Sequence, residues 1–169
     1  MSGNVVTIDR KQVDNLFRKL DPVKRNEAMM EALKSGAAVL AQKTRSNLKK
    51  GLGSGADTPR PERNKNYAWK NKPMVQGVTL NARDTTHTTV QVSIMGRPRL
   101  KWYEKGVEER FKGARKSSSK YRLMKDSGKL KSTGSIKRIN FFEQAKQDDG
   151  QITQAIERTL IKEINELTQ

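Results

Sequence analysis

The chain opens with two apolar patterns that predict different elements. A short β-branched run at residues 5–8 predicts an edge strand, and four apolar residues at helical spacing then predict a helix of about three turns. These four residues are Val13, Leu16, Phe17 and Leu20. Asp21 and Pro22 end that helix and start another, because Asp caps free N–H groups and Pro suits the first helical position. We expect the second helix to reach about Leu48.

The second helix carries an unusually wide apolar arc lined with small residues. One face contains Met30, Leu33, Ala37, Leu40, Thr44 and Leu48, and the face beside it contains Met29, Ala32, Gly36 and Val39. This pattern predicts a central core helix packed close to a sheet. A helix that also packs on a neighbouring subunit is the alternative.

The middle of the chain predicts a β-hairpin. Val75–Arg83 and Thr88–Met95 are strand candidates, and in the second of them Val90, Val92 and Ile94 alternate with polar residues, which is the period of a half-buried strand. The connecting turn contains His87, the only histidine. A lone histidine in a turn is more often exposed than catalytic or metal-binding.

The last part of the chain returns to apolar character after a basic stretch. Ile136–Phe142 predicts a short strand or a tight approach to the core, and Asp148 and Asp149 cap the start of a final helix. Six residues of that helix follow the helical period: Ile152, Ala155, Ile156, Leu160, Ile164 and Leu167. We therefore predict an α+β fold, with a small, mainly antiparallel sheet packed against a long central helix and a C-terminal helix.

Two segments interrupt this pattern, and we predict that both are flexible loops. Residues 51–73 are rich in Gly, Ser and Pro. Val107–Ser135 is a long basic loop with few apolar residues, expected to stay mobile until it meets a partner. The chain would then be one domain, residues 1–169, with its core in residues 5–50, 74–106 and 136–167.

Charge adds an expected partner to this outline. The 169 residues contain 35 Lys and Arg against 18 Asp and Glu, a formal charge of +17, which favours an anionic partner such as nucleic acid or an acidic protein surface. The chain has no cysteine, which excludes disulfides and thiolate chemistry. Its longest apolar run, Ala37–Ala41, is far below the roughly 20 residues that span a bilayer, and Met1–Arg10 lacks the pattern of a secretory signal.

Catalytic motifs are missing from the sequence. Paired carboxylates occur only as sequence neighbours, and there is no zinc spacing, dinucleotide fingerprint or nucleophile motif. The glycines of residues 51–61 lack the Gly-Lys-Ser/Thr ending of a phosphate loop. Tyr67 and Trp69, set among basic residues, could stack on bases, but we favour an anchoring role for them. We therefore expect a protein that is not an enzyme and needs no cofactor or metal.

Two short segments stand out beside this order of elements. Trp102–Gly106 has the form aromatic-aromatic-Glu-x-Gly, and Arg138–Phe142 has the form Arg-x-x-Phe-Phe, with Ala145 shortly after it. With these segments the chain resembles the neck or tail-completion proteins of long-tailed bacteriophages. Val107 stands where the family usually has Thr, the Pro of the second motif is missing, and the usual Thr-Gly-x-Leu-x-x-Ser segment is not recognisable in residues 51–79.

The resemblance implies a structural virion protein, assembled in the host cytoplasm, that forms a homo-oligomeric ring at the neck or tail. Its implied partners are head-closure and portal-side proteins, tail terminator or tail tube proteins, and packaged DNA held without sequence specificity; no membrane is implied. The expected loop anchors are Trp102, Tyr103, Glu104, Gly106, Phe141 and Phe142. The expected DNA or partner contacts are Lys101, Lys105, Arg110, Lys112, Arg115, Lys116, Lys120 and Arg122. The alternative is a non-specific nucleic-acid-binding protein that acts outside a particle.

Overall fold

The computed structural model describes residues 21–59, 71–83, 89–94, 97–112 and 118–167. The strand predicted at residues 5–8 and the helix predicted after it lie outside these ranges. So do Tyr67, Trp69, His87, Arg115 and Lys116. The structural statements below concern the described residues.

The described residues form the α+β fold that the sequence predicts. Five helices accompany two antiparallel sheets of two strands each. In chain order the elements are α1 (Pro22–Leu52), β1 (Thr79–Arg83), β2 (Thr89–Ser93), α2 (Pro98–Lys105), β3 (Val107–Phe111), α3 (Ser119–Asp126), β4 (Ser132–Ile136), α4 (Phe141–Lys146) and α5 (Asp149–Leu167). Short 3-10 helices lie at Gly53–Ala56 and Met74–Gly77. Strand β1 pairs with β2, and β3 pairs with β4.

Helix α1 begins where the sequence predicts and ends four residues later than expected. The Asp21 carboxylate accepts a hydrogen bond of 2.8 Å from the Val23 N–H, which satisfies one of the free donors of the first turn. At the other end, the helix continues to Leu52. A side chain at Gly51 would overlap Ile139. Glycine at this position therefore lets the last turn of α1 pack closely against Ile139.

The chain groups into two compact units. One contains residues 21–41, 80–83, 89–92 and 148–167 of the described chain, and the other contains residues 42–59, 71–79, 93–94, 97–112 and 118–147. In the first unit, Gly36 of α1 faces Ile156 of α5 so closely that a methyl group would overlap it. Ser35 Oγ donates to the Ala155 carbonyl at 2.9 Å and accepts from Thr159 Oγ1 at 2.9 Å. The small residues of α1 thus allow close approach of a helix, where the sequence led us to expect a sheet. The expectation of one domain stays a prediction.

The second unit has a core built around residues with almost no exposed surface. Leu48, Met74, Val78, Leu100 and Phe141 are all buried. Helix α1 contributes polar contacts to this unit: Arg45 Nη2 donates to the Val78 carbonyl at 2.8 Å, and Asn47 Nδ2 to the Phe141 carbonyl at 3.3 Å.

Arg97 is a buried arginine that the sequence analysis did not identify. It has no exposed surface, and its Nη1 donates to the Lys72 carbonyl at 2.7 Å. A Cβ at Gly77 would lie 2.8 Å from the Arg97 Cβ and 2.6 Å from Leu100 Cδ1. Glycine at position 77 therefore lets the chain pass close to the start of α2.

Three segments differ from the sequence-based expectation. Val107–Ser135, expected to be a loop, contains β3, α3 and most of β4. The first strand of the hairpin starts at Thr79 and not at Val75, because Met74–Gly77 forms a turn of 3-10 helix. Strand β4 ends at Ile136, and Asn140 then adopts a left-handed conformation (φ 58°) before α4 begins, so Phe141 and Phe142 are helical.

Candidate contact site

The two sequence motifs meet in what we call the base: residues 102–106 together with residues 138–146. Helix α2 begins at Pro98, as suits a residue without an N–H, and its last turn presents Glu104. The Glu104 side chain is only 7% exposed. Its carboxylate accepts hydrogen bonds of 2.9 Å from the Phe142 N–H and 3.0 Å from the Glu143 N–H.

These bonds explain why a carboxylate is needed at position 104. The first N–H groups of a helix have no partner within it, and a negative group there is favoured by the helix dipole. Asn140 precedes α4, but its side chain does not cap the helix. Glu104 supplies the cap from 38 and 39 residues away in the sequence, which fixes α4 against α2.

The remaining base residues reinforce this connection. The Ile139 N–H donates to the Tyr103 carbonyl at 2.8 Å, and Phe141 has no exposed surface. Phe142 is half-buried, with the Lys146 ammonium 4.8 Å from its ring centroid. Of the expected anchors, Phe141 therefore packs in the core of the second unit, and Glu104 holds the motif that contains it.

Gly106 ends α2 in a conformation that only glycine adopts without strain. Its φ is 75° and its ψ is 166°, a region that is essentially restricted to glycine. A Cβ would also lie 3.2 Å from the Arg138 backbone nitrogen and from the Ile136 carbonyl oxygen. The glycine of the first motif therefore allows the chain to leave α2 and enter β3 directly beside the second motif.

Strands β3 and β4 with α3 between them form what we call the arm, residues 107–136. The strands are antiparallel, with Val107 opposite Ile136 and Phe111 opposite Ser132, and the register shifts on both sides of Arg110. The Thr133 hydroxyl donates to the Arg110 carbonyl at 3.0 Å. Such bulges increase the local twist of a strand pair. The paired first and last residues of the arm, Val107 and Ile136, lie next to the base in the sequence.

Helix α3 is largely exposed, with six of its eight residues exposed and Tyr121 and Met124 half-buried. Ser118 Oγ caps it by accepting a hydrogen bond of 3.2 Å from the Tyr121 N–H, and the Tyr121 ring packs edge-on against Phe111 at 5.2 Å. None of its residues is buried, and Leu123 is 71% exposed. One side of the helix therefore packs on the arm through Tyr121, and the side that carries Leu123 is exposed.

The predicted cationic residues that the structure describes are exposed. They are Lys101, Lys105, Arg110, Lys112, Lys120 and Arg122. The Arg110 guanidinium lies 5.3 Å from the centroid of the Trp102 ring, and Trp102 is 39% exposed. This cation–π contact joins the arm to α2 at the surface, so Trp102 contacts the arm without entering the core. The two other predicted residues, Arg115 and Lys116, lie outside the described ranges.

The sequence analysis missed further cations on the same arm. Lys125, Lys129 and Lys131 are exposed as well. The sequence has nine Lys or Arg between Val107 and Ser135, and these three were not among the predicted contacts. Their location on one exposed strand–helix–strand element gives a broad cationic surface suited to non-specific contact with a polyanion.

The described residues of the site provide exposed surface for contact. Glu104 is the one buried carboxylate of the described residues, and backbone N–H groups occupy both its oxygens. No group of three or more potential metal ligands occurs in the described part of the chain. None of the described helices has the length and apolarity needed to cross a bilayer.

Comparison with known proteins yields no match: no family model, no curated protein and no solved structure matches this chain.

Proposed function

We propose that the protein is a structural subunit of the head-to-tail junction of a long-tailed bacteriophage, forming a neck or tail-completion ring. The observation that carries this proposal is the pair of Glu104 hydrogen bonds. They join the two motifs on which the resemblance rests, although 38 residues separate their partners in the sequence. The motif residues thus form one structural base, which holds an exposed cationic arm.

The arm suits a protein that surrounds a DNA channel. Its exposed lysines and arginines can contact phosphates without reading sequence, because phosphate contacts position a protein and carry no base information. A ring also has to bind neighbouring copies through contacts that close. In this proposal the subunit lies between head-closure and portal-side proteins on one side and the tail terminator or tail tube on the other, with no catalytic step.

The first test is the composition of purified particles of the phage that encodes this chain. Particles should contain the protein, and limited proteolysis should cut the free protein within residues 107–135 while the assembled protein resists. Particles that lack the protein, or equal cleavage of free and assembled forms, would refute the proposal.

A charge-matched pair of variants tests the DNA contact. Lys101→Gln/Lys105→Gln removes two exposed charges next to the arm, and Lys24→Gln/Lys162→Gln removes two exposed charges from α1 and α5. We expect only the first pair to lower retention of packaged DNA. Equal retention in both pairs would exclude a DNA contact at Lys101 and Lys105.

A non-specific nucleic-acid-binding protein acting outside a particle is the second candidate. The exposed Trp102 beneath Arg110 favours it, because aromatic and arginine side chains together bind nucleic acid by stacking and charge. This candidate requires tight binding of free protein to duplex DNA at about 50 mM salt, with a steep loss by about 200 mM. It also requires that the protein not be enriched in particles.

A further inference from the structure

A groove follows the first three turns of α1 in the first unit. It has a volume of about 770 Å³ and is bounded by one stripe of α1 together with Ala82 of β1 and Glu163 of α5. The stripe begins at Val23 and ends at Lys34. At 1.5 Å per residue these eleven steps span about 17 Å along the helix.

The groove combines apolar and acidic side chains. Val23 at one end is 64% exposed and supplies most of the apolar surface, whereas Met30 lies in the wall with 9% of its surface exposed. Glu27, Glu31 and Glu163 supply three carboxylates, of which Glu31 is paired with Lys34 at 2.5 Å. Glu27 and Glu163 make no ion pair with any described residue. The described lining of the groove is therefore acidic, on a protein whose formal charge is +17.

Helix α3 has the opposite net charge and no fully buried residue. Its eight residues include no buried one, and a helix of this length is not stable alone in water. Leu123 is 71% exposed, Lys120 and Arg122 precede it by three residues and by one, and Asp126 is the one acid of the helix. At 1.5 Å per residue α3 is about 12 Å long, which fits within the groove.

We infer that α3 of one copy docks in the α1 groove of a second copy, with Leu123 against Val23 and Met30 and with Lys120 and Arg122 near Glu27 and Glu163. This inference deepens the proposed ring and rests on it. Four large apolar side chains are exposed among the described residues, and the inferred contact covers two of them, Val23 and Leu123.

The two surfaces differ, so the contact is head-to-tail. Such heterologous contacts generate rings when the rotation closes, whereas a contact between identical patches stops at a dimer. Apolar burial supplies the affinity, since exposed ion pairs add little. The charges set orientation and exclude wrong partners. Overall repulsion between two basic copies favours a contact in which the basic helix meets a locally acidic surface.

Engineered cysteines test this contact cleanly, because the chain has none of its own. V23C protein is mixed with L123C protein and oxidised after nuclease treatment, so that DNA cannot bridge the copies. M29C serves as the matched control, since Met29 is on the same helix and 38% exposed but does not line the groove.

We expect the V23C–L123C product to exceed the M29C–L123C product by roughly tenfold, a preference of about 1.4 kcal/mol. Equal yields would overturn the inference. Predominant L123C–L123C product would also overturn it, in favour of a symmetric contact. Absence of any cross-linked product in free protein, at concentrations up to its solubility limit, would also overturn the inference.

Exchanging the charges gives a second readout. E27K on the V23C protein, or K120E on the L123C protein, should lower the yield, and the two changes combined should restore it. Loss without restoration would contradict the predicted pairing. The presence of the protein in particles decides the proposed function independently, so this inference can fail while the virion role stands.

Discussion

Two short helices of the second unit show how differently this chain uses similar elements. Helix α4 has six residues and α3 has eight, so neither is long enough to be stable by itself. Helix α4 buries Phe141 and Ala145, and the buried carboxylate of Glu104 caps it from another helix. Helix α3 has no fully buried residue, only the half-buried Tyr121 and Met124, and it is capped by the adjacent Ser118.

The difference separates residues that stabilise the fold from residues that are available for contact. Interactions of α4 extend across the sequence into the core, so changes there should lower the stability of the whole unit. The capping hydrogen bond of α3 is local, and the ring contact between Tyr121 and Phe111 lies within the arm. Changes on its outer face should therefore affect assembly and leave the fold intact.

Replacing Phe141 should have the largest effect on stability. Phe141→Ala removes a side chain with no exposed surface, and such changes cost about 3–5 kcal/mol. Phe142→Ala, at a half-buried position in the same helix, should cost clearly less. Denaturant unfolding of both variants measures the difference. Equal costs would mean that α4 is not held through its buried face.

Removing the cap of α4 should come next. Glu104→Ala deletes two hydrogen bonds to a buried carboxylate, and hydrogen bonds to charged groups contribute about 1.5–3 kcal/mol. Glu104→Gln keeps one acceptor oxygen, so its free energy of unfolding should lie between that of Glu104→Ala and that of the native protein. The control is Glu109→Ala at an exposed position, expected to stay within about 0.5 kcal/mol of native. A loss for Glu104→Ala no larger than for this control would refute the capping role.

The glycine that connects α2 to the arm should show a moderate effect. Gly106→Ala places a side chain where φ is 75°, and a residue in this region costs about 1–3 kcal/mol. Gly150 lies in open space near the start of α5 with no such φ, so Gly150→Ala is the matched control and should be nearly neutral. Thermal unfolding compares the two, and a neutral Gly106→Ala would contradict the strain argument.

The smallest stability change is expected on α3. Leu123→Ala should alter the free energy of unfolding by less than about 0.5 kcal/mol, as surface substitutions usually do. Leu100→Ala, the same substitution at a fully buried position, should cost about 2–5 kcal/mol. Denaturant unfolding provides both values. A large loss for Leu123→Ala would show that α3 belongs to the core and is not a free contact surface.

Sequence reasoning worked best where the signal was local. Asp21 and Pro22 predicted the start of α1, and the capping bond to Val23 confirms it. The alternation around Val90 and Val92 predicted β2 and its pairing with β1. Asp148 and Asp149 predicted the start of α5, which begins at Asp149. In each case the residues that specify the element lie within it or directly before it.

The elements that were missed depend on distant partners. Strand β4, Ser132–Ile136, is rich in Ser, Thr and Gly and has no strand pattern of its own. It forms because it pairs with β3, whose residues lie 21 (Phe111 and Ser132) to 29 (Val107 and Ile136) positions earlier in the sequence. Helix α2 has a charged sequence, and its formation rests on Leu100, which packs near Gly77. Arginine is seldom buried, so Arg97 had no sequence signal.

The base was predicted only in part, for the same reason. The resemblance placed Glu104, Gly106 and Phe141 among the expected loop anchors, but the role of Glu104 could not be derived because its partners are backbone N–H groups. Backbone donors have no sequence signature. The cationic residues were found from charge alone, while the acidic groove of α1 went unnoticed because Glu27 and Glu163 lie on different helices.

Hydrogen exchange of α3 and α4, measured in free protein and in purified particles, tests the central claim most directly. In free protein we expect the amides of α3 to exchange at least roughly tenfold faster than those of α4, because few buried contacts mean low local stability. In particles the exchange of α3 should slow toward that of α4, while α4 should stay unchanged. Equal protection of both helices in the free protein, or fast exchange of α3 in the particle, would contradict the account.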